Sequence, residues 1–398
     1  MIKFQIMKCQ PTPKKLTEAG LYFVSLILHT LSVVNGFSQG ENYEFERIKI
    51  GDVKNIICGM DLAPDGQKLA ISSVKSFPLY IFDWSKRELE NKFEVGDWYA
   101  GSSVKYSSGG KYILVQQLFY IDWAPNKDKE VNFKVIEASS GKVVKSFEKI
   151  HAAAFSPDEG FVVTITAGEV AFWNLQSGNK DRSFFVPGAT NAIAITPDGK
   201  QIAVSHRPDA AELKTDPKFS KNKKALKIAL NYKQQVSMYN AATFSKESTV
   251  NELYDIIYRL EYSPDGRTLF CLNIPHLKAQ TALERITYIN TIDAATGNAL
   301  RKGFTSRAIY EPDFRLSHNG KLFGLVSQNT RFPELHIYDF ETGILMKRFE
   351  LATRLLEKHD DELIVGEMRT SFVFLPDDNT VLLTMGNHLV MWEINLNE

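Results

Sequence analysis

The chain has 398 residues, 44% of them apolar and 24% charged, with 47 Lys and Arg against 47 Asp and Glu. A formal charge of zero excludes a general electrostatic grip on nucleic acid or anionic lipid as the main theme, and the length gives ample chain for a buried core. Aromatics at 12%, with 26 Phe and 15 Tyr, favour pleated, half-buried strands over helices.

The first element in the chain reads as an address. Lys3, Lys8, Lys14 and Lys15 precede an apolar run over 20–34, and Gly36-Phe37-Ser38 offers small residues at the two positions a signal peptidase inspects. Residues 1–38 are therefore expected to be a signal peptide cleaved near Ser38, sending the protein to the periplasm or the extracellular space. The run is shorter than the ~20 residues that cross a bilayer, which disfavours an uncleaved anchor. No Asn-x-Ser/Thr sequon occurs, which fits a bacterial exported protein. Cys9 lies in this leader, while Cys58 and Cys271 sit in apolar, strand-like runs and are read as buried free thiols.

Beyond the leader one turn recurs seven times: Ala63-Pro64-Asp65-Gly66, Ser107-Ser108-Gly109-Gly110, Ser156-Pro157-Asp158-Glu159, Thr196-Pro197-Asp198-Gly199, Ser263-Pro264-Asp265-Gly266, Ser317-His318-Asn319-Gly320 and Leu375-Pro376-Asp377-Asp378. Pro presets the first turn dihedral, Asp or Asn bonds nearby backbone, and Gly accepts a left-handed conformation, so each is a tight turn between antiparallel strands. A second marker keeps the same period, an apolar or aromatic residue followed by Asp, Asn or Glu at Phe82-Asp83, Ile136-Glu137, Trp173-Asn174, Tyr239-Asn240, Ile292-Asp293, Tyr338-Asp339 and Trp392-Glu393. Each unit is thus four strands. The seventh runs out before its fourth, and Phe45-Glu46-Arg47-Ile48 copies the fourth-strand text Phe147-Glu148-Lys149-Ile150. The first strand is expected to complete the last unit and remove the open edges of the ring.

The Ser-Pro-Asp-Gly turns and the Trp/Tyr-Asp/Asn strand ends resemble those of WD40-like seven-bladed β-propellers. The resemblance implies an all-β ring over 39–398, with blades at about 52–96, 97–150, 151–188, 189–252, 253–307, 308–353 and 366–398 plus 43–50. No Gly-His and no Trp-Asp dipeptide occurs, so the family's internal His/Ser/Trp/Asp bonding network is not expected. Propellers of this kind serve as binding platforms or as lactonase-like and quinone-dependent enzymes, and fold does not choose among these.

In similar propellers the loops joining strands two and three, and those joining blades, share one face. All long insertions fall there, at 117–132, 207–235, 274–285, 327–334 and 353–370. The segment 207–235 holds seven Lys against Asp209, Glu212 and Asp216, which reads either as a basic flap for an acidic surface or, preferred, as a solvated, mobile loop. Candidate binding-face residues are Phe119, Tyr120, Trp123, Lys221, Lys223, Lys224, Arg331 and His359.

GxSxG, HExxH, GxGxxG and GxxxxGK[ST] are all missing, and the His residues are scattered, so no catalytic residue, metal ligand or cofactor is assigned. Aligning the innermost strands on their turns puts Asp61 and Lys105 at one level of blades 1 and 2. Glu261 and Arg315 fall at that level of blades 5 and 6, with Arg259 and Asp313 one step higher. Neighbouring opposite charges predict Arg259 beside Asp313 and Arg315 beside Glu261, with no metal between them. The expected function is an exported, non-enzymatic binding or sensing platform, monomeric, for a protein or surface ligand. Neither nucleic acid nor a membrane span after cleavage is expected. The alternative is a propeller enzyme with its site in the central funnel.

Overall fold

The computed structural model describes residues 45–51, 53–98, 101–119, 129–275, 286–307, 311–328, 333–350 and 369–396. The expected signal peptide lies outside them, as do Tyr120, Trp123, Arg331 and His359.

The chain forms seven four-stranded antiparallel sheets, six of them meanders in sequence order. The first strands of the blades are Ile57–Leu62, Ser102–Tyr106, Ala152–Phe155, Ala189–Ile195, Ile256–Tyr262, Phe314–Leu316 and Phe372–Phe374. Blade 7 closes the ring as the repeat count requires: Phe45–Lys49 pairs antiparallel with His388–Glu393, Phe45 opposite Trp392 and Lys49 opposite His388. Ile48 and Ile50 of this N-terminal segment are buried in a cluster with Met60, Leu69 and Leu382, so the seam joins blades 7 and 1 by side chains as well as by the ladder. Cys58 and Cys271 are buried and free, and burial pushes the Cys58 thiol up to about 11.

All seven repeated turns form as read. In each, the backbone N–H of the fourth residue donates to the carbonyl of the first, from Gly66 to Ala63 through Asp378 to Leu375. The fourth residue always has positive φ, between 54° at Asp378 and 77° at Gly110. Two turns lack Pro at their second position, with Ser108 and His318 instead, and the turn of the following blade then lacks Gly, with Glu159 and Asp378 instead.

The two substitutions fit each other. At four of the five turns that follow a Pro turn, Gly packs on that Pro: a Cβ at Gly66 would come within 2.7 Å of Pro376 of the preceding blade. Where Pro is absent, the carboxylate reaches back instead. Glu159 accepts hydrogen bonds from the Gly109 N–H at 2.9 Å and the Lys111 N–H at 3.2 Å, and from the Ser107 hydroxyl. Asp378 accepts from the N–H groups of His318 and Asn319, each at 2.7 Å, and lies 2.9 Å from His318 Nδ1. Such bonds offset a left-handed non-Gly residue, whose strain is of order 1 kcal/mol.

The segment 207–235 departs from the expectation of a mobile loop: it folds as three helices, Ala210–Thr215, Pro217–Ser220 and Lys223–Tyr232. Each has its own cap. Asp209 accepts from the Ala211 and Glu212 N–H groups, Asp216 from that of Lys218, and Asn222 from that of Ala225. Leu213 and Ala229 are buried and anchor the first and third helices, and the Lys233 ammonium lies 2.6 Å from the Asp255 carboxylate. Among the described residues no helix is long and apolar enough to cross a membrane.

Candidate functional site

Two features stand out from the repeat, the central channel and the helical flap of blade 4. The channel contains an open cavity of about 490 Å³. Its lining runs from the tight turns at Ser107, Pro157, Pro197 and Pro264 to Lys129, Glu311 and Arg369 at the loop-face end. The residue two places before each turn gives a ring of seven: Asp61, Lys105, Ala154, Ala194, Glu261, Arg315 and Val373. Blades 3 and 4 thus present alanines where blades 1, 2, 5 and 6 present charges, and Ala152 and Ala192 repeat this one level higher in the same lining.

The charges pair, but not all as nearest neighbours. Arg259 lies 3.4 Å from Asp313 on the adjacent blade and also bonds Glu261 on its own strand, through Nε at 3.1 Å. Arg315 does not pair with Glu261 as the alignment suggested. It bonds Asp61 past blade 7, lies 3.5 Å from Asp313, and donates to the Met60 carbonyl at 2.7 Å. Lys105 in turn reaches Glu261 at 3.1 Å across the alanines of blades 3 and 4, rather than Asp61 beside it. The physical reason is side-chain reach. Residues two apart on a strand share a face, so Arg259 takes Glu261 locally. Val373 and the alanines leave no charge or bulk in the way of the longer spans.

Asp313 is the hub. Besides Arg259 and Arg315 it receives Arg369 at 3.1 Å, the Ser371 hydroxyl at 2.6 Å and the Phe372 N–H at 3.3 Å. Burial alone would raise its pKa, but Arg315, Arg369, Arg259 and Ser371 together hold it well below the carboxylate range. Glu261 behaves likewise: burial opposes ionisation, yet Lys105 and Arg259 bring it to about 2. The side chain of Asp61 also accepts from the Tyr106 N–H at 2.7 Å.

Three of these charges were not read from the sequence. Lys129, Glu311 and Arg369 lie in connections outside the repeat register, where turn alignment says nothing. Lys129 comes from the blade 2 insertion and spans the loop-face end of the channel. Its N–H donates to Asn191 Oδ1 at 2.6 Å, its carbonyl lies 2.9 Å from His151 Nδ1, and its ammonium donates to the Tyr258 carbonyl at 3.1 Å. Burial pushes that ammonium's pKa down, against the attraction of Glu311 at 3.7 Å. Phe119, from the same insertion, stacks on Tyr258 with ring centroids 5.6 Å apart, so its ring is engaged within the fold. Among the described residues no group of three or more His, Cys, Asp or Glu is placed to hold a metal ion.

On the flap, Lys221, Lys223 and Lys224 are exposed, as are Lys214, Lys218 and Lys227. The segment's three acids are engaged elsewhere: Asp209 and Asp216 cap helices, and Glu212 faces Lys246 at 3.7 Å. Lys223 and Lys224 stand in the first turn of a ten-residue helix with no acid there, where the helix dipole repels them. These lysines therefore do not serve the helix that carries them.

The fold is that of a WD40-like seven-bladed β-propeller. Among solved structures the chain is similar to the β-propeller domain of Cps50 (Swd1) from Myceliophteria thermophila, with a TM-score of 0.57 and 12% identity, over 88% of this chain and 99% of that one. At this identity the likeness concerns the fold alone. No protein-family model matches the chain, and no curated protein matches it.

Proposed function

We propose that the protein is an exported, non-enzymatic binding platform that receives an acidic segment of a partner protein on the helical flap of blade 4. One observation carries the reading: the flap's acids are occupied by capping and pairing, while six of its lysines face solvent, five of them from its helices. An extended acidic polypeptide suits this surface better than a membrane, because the exposed large apolar residues, such as Phe185 and Ile344, lie outside the flap. It suits it better than nucleic acid because the helices over 210–232 carry no Arg and no fully exposed aromatic for stacking among their lysines. The channel supports the non-enzymatic part: Asp61, Glu261 and Asp313 are each held by a cation or by several.

Poly-glutamate is the probe. The intact protein is expected to bind it with an affinity that falls steeply with salt, and a form with 208–233 replaced by a tight turn is expected to stay folded and lose that binding. Equal binding by the shortened form would remove the site from the flap. Export is tested by fractionation followed by N-terminal sequencing of the mature protein; a protein retained inside the cell with Met1 intact would overturn it.

A further inference from the structure

We propose that the central cavity is a binding site for a small organic carboxylate, its charged end toward the arginine cluster and its apolar body on the alanine wall. Three observations converge. First, the lining holds five cationic residues, Lys105, Lys129, Arg259, Arg315 and Arg369, against four carboxylates. An anion completes this balance, whereas a cation would have to displace Arg or Lys from carboxylates they already hold.

Second, two residues of the lining, Asn191 and Arg315, each keep one buried polar atom without a hydrogen-bond partner, Nδ2 and Nε, and both atoms are donors. Buried unpaired donors are uncommon because each forfeits its hydration, by about 1–3 kcal/mol. The acceptors near them are occupied: Asn191 Oδ1 takes the Lys129 N–H, and Asp61 and Asp313 take the rest of Arg315. The residues around the pocket therefore carry more donors than acceptors, an imbalance that a carboxylate drawn in beside them redresses.

Third, Ala154 and Ala194 stand at ring positions where the other blades put Asp, Lys, Glu, Arg or Val. Small apolar side chains there create room, which the Lys105–Glu261 pair spans at that level, and Ala152 and Ala192 extend the apolar wall one level higher. A cavity of about 490 Å³ is in the size range of small-molecule sites. A purely inorganic anion would leave the alanine wall uncovered, and a neutral ligand would leave the extra cation unmatched.

Benzoate and benzyl alcohol, alike in ring and different in charge, are the probes, measured by calorimetry on the full-length protein. Benzoate is expected to bind about tenfold or more tightly than benzyl alcohol, since charge-assisted bonds to Arg are available only to the former. Ala154→Leu, which places bulk on the apolar wall, is expected to weaken benzoate about tenfold, with the melting temperature recorded alongside. If that variant is unfolded, Ala154→Val applies the same test with less bulk. The flap-shortened protein is expected to bind benzoate as the intact one does, which separates this site from the flap lysines. Equal affinity for the two probes, no benzoate binding at about 10 mM, or binding unchanged by the alanine substitutions would each overturn the proposal.

Discussion

On the tight-turn face of the ring, seven turns share one hydrogen bond and one backbone conformation, and where a turn departs from the pattern its neighbour departs to match. The loop face follows no such rule. One of its connections is a three-helix flap, and another sends Lys129 to touch blades 3, 4 and 5. The difference separates two kinds of information. Repetition, including correlated breaks in it, specifies the ring. Segments inserted between the repeats specify surface charge and the end of the channel, and they do so without disturbing the ring because both their ends return to adjacent, paired strands.

The harshest test of this division is at the seam. Deleting residues 39–50 removes the outer strand of blade 7 and the buried Ile48 and Ile50, exposing the edge of His388–Glu393. The expected loss is large, above about 5 kcal/mol from two buried Ile side chains and a strand's ladder bonds. Thermal and denaturant melts check it. Replacing a longer stretch of the flap with a tight turn is the control, and similar damage from both would dissolve the distinction between ring and insertion.

Next in size is the channel network, which belongs to the ring. Arg315→Ala leaves Asp61 and Asp313 short of a partner, and Asp313 is 1% exposed. The cost expected is about 3 kcal/mol, the lower end for a broken buried pair, because Arg369 and Arg259 still hold Asp313. The network also fixes an acid response. Lys105 and Arg259 hold Glu261 at about 2 in the folded protein against an ordinary 4.5, and Asp313 is likewise depressed. Their contribution is therefore complete above the unfolded value and fades as pH falls toward 2. Urea midpoints between neutral pH and pH ~2 are expected to drop in that window, and the drop is expected to be smaller in Glu261→Gln. A pH-independent midpoint would contradict the pairing.

The paired turns predict a smaller and more specific effect. His318→Pro removes an N–H that Asp378 accepts, and Asp378→Gly removes the acceptor while relieving its positive φ. Each alone is expected to cost about 1 kcal/mol, whereas the double substitution restores the Pro and Gly of the common pattern and is expected to cost less than the sum by about 1 kcal/mol. A double-mutant cycle from denaturant melts reads that coupling. Strict additivity would mean that the match between consecutive turns is incidental.

These effects also mark what could be read in advance. The turns at Ser263-Pro264-Asp265-Gly266 and its six relatives gave the number of blades, because tight-turn chemistry is local and leaves residue-type signatures. Turn alignment brought Asp61, Lys105, Arg259, Glu261, Asp313 and Arg315 to the channel for the same reason. It did not give their partners, since reach across a ring depends on what the intervening blades leave empty, and Ala154, Ala194 and Val373 are silent in a search for charges. The flap held a signal that charge counting passed over: Asp209, Asp216 and Asn222 stand at helix-cap positions, and Leu226 and Ala229 are three residues apart on one helical face.

The smallest effect on stability is expected on the flap, where it is most informative about function. Lys223 and Lys224 occupy the first turn of Lys223–Tyr232, where positive charge opposes the helix dipole and acid is favoured by about 0.3–1 kcal/mol at each exposed site. Lys223→Glu combined with Lys224→Glu is therefore expected to leave the ring unchanged and raise the melting temperature slightly or not at all, since the flap adds little to global stability. The same pair removes two of the six exposed lysines and adds two negative charges, so binding of poly-glutamate is expected to fall sharply and its salt dependence to flatten. A substitution that is neutral or better for folding and harmful for binding is the pattern expected of residues kept for recognition. If the pair destabilises the protein or leaves poly-glutamate binding unchanged, the lysines are part of the scaffold or a solvated surface, and the loop face is no more specialised than the turns opposite it.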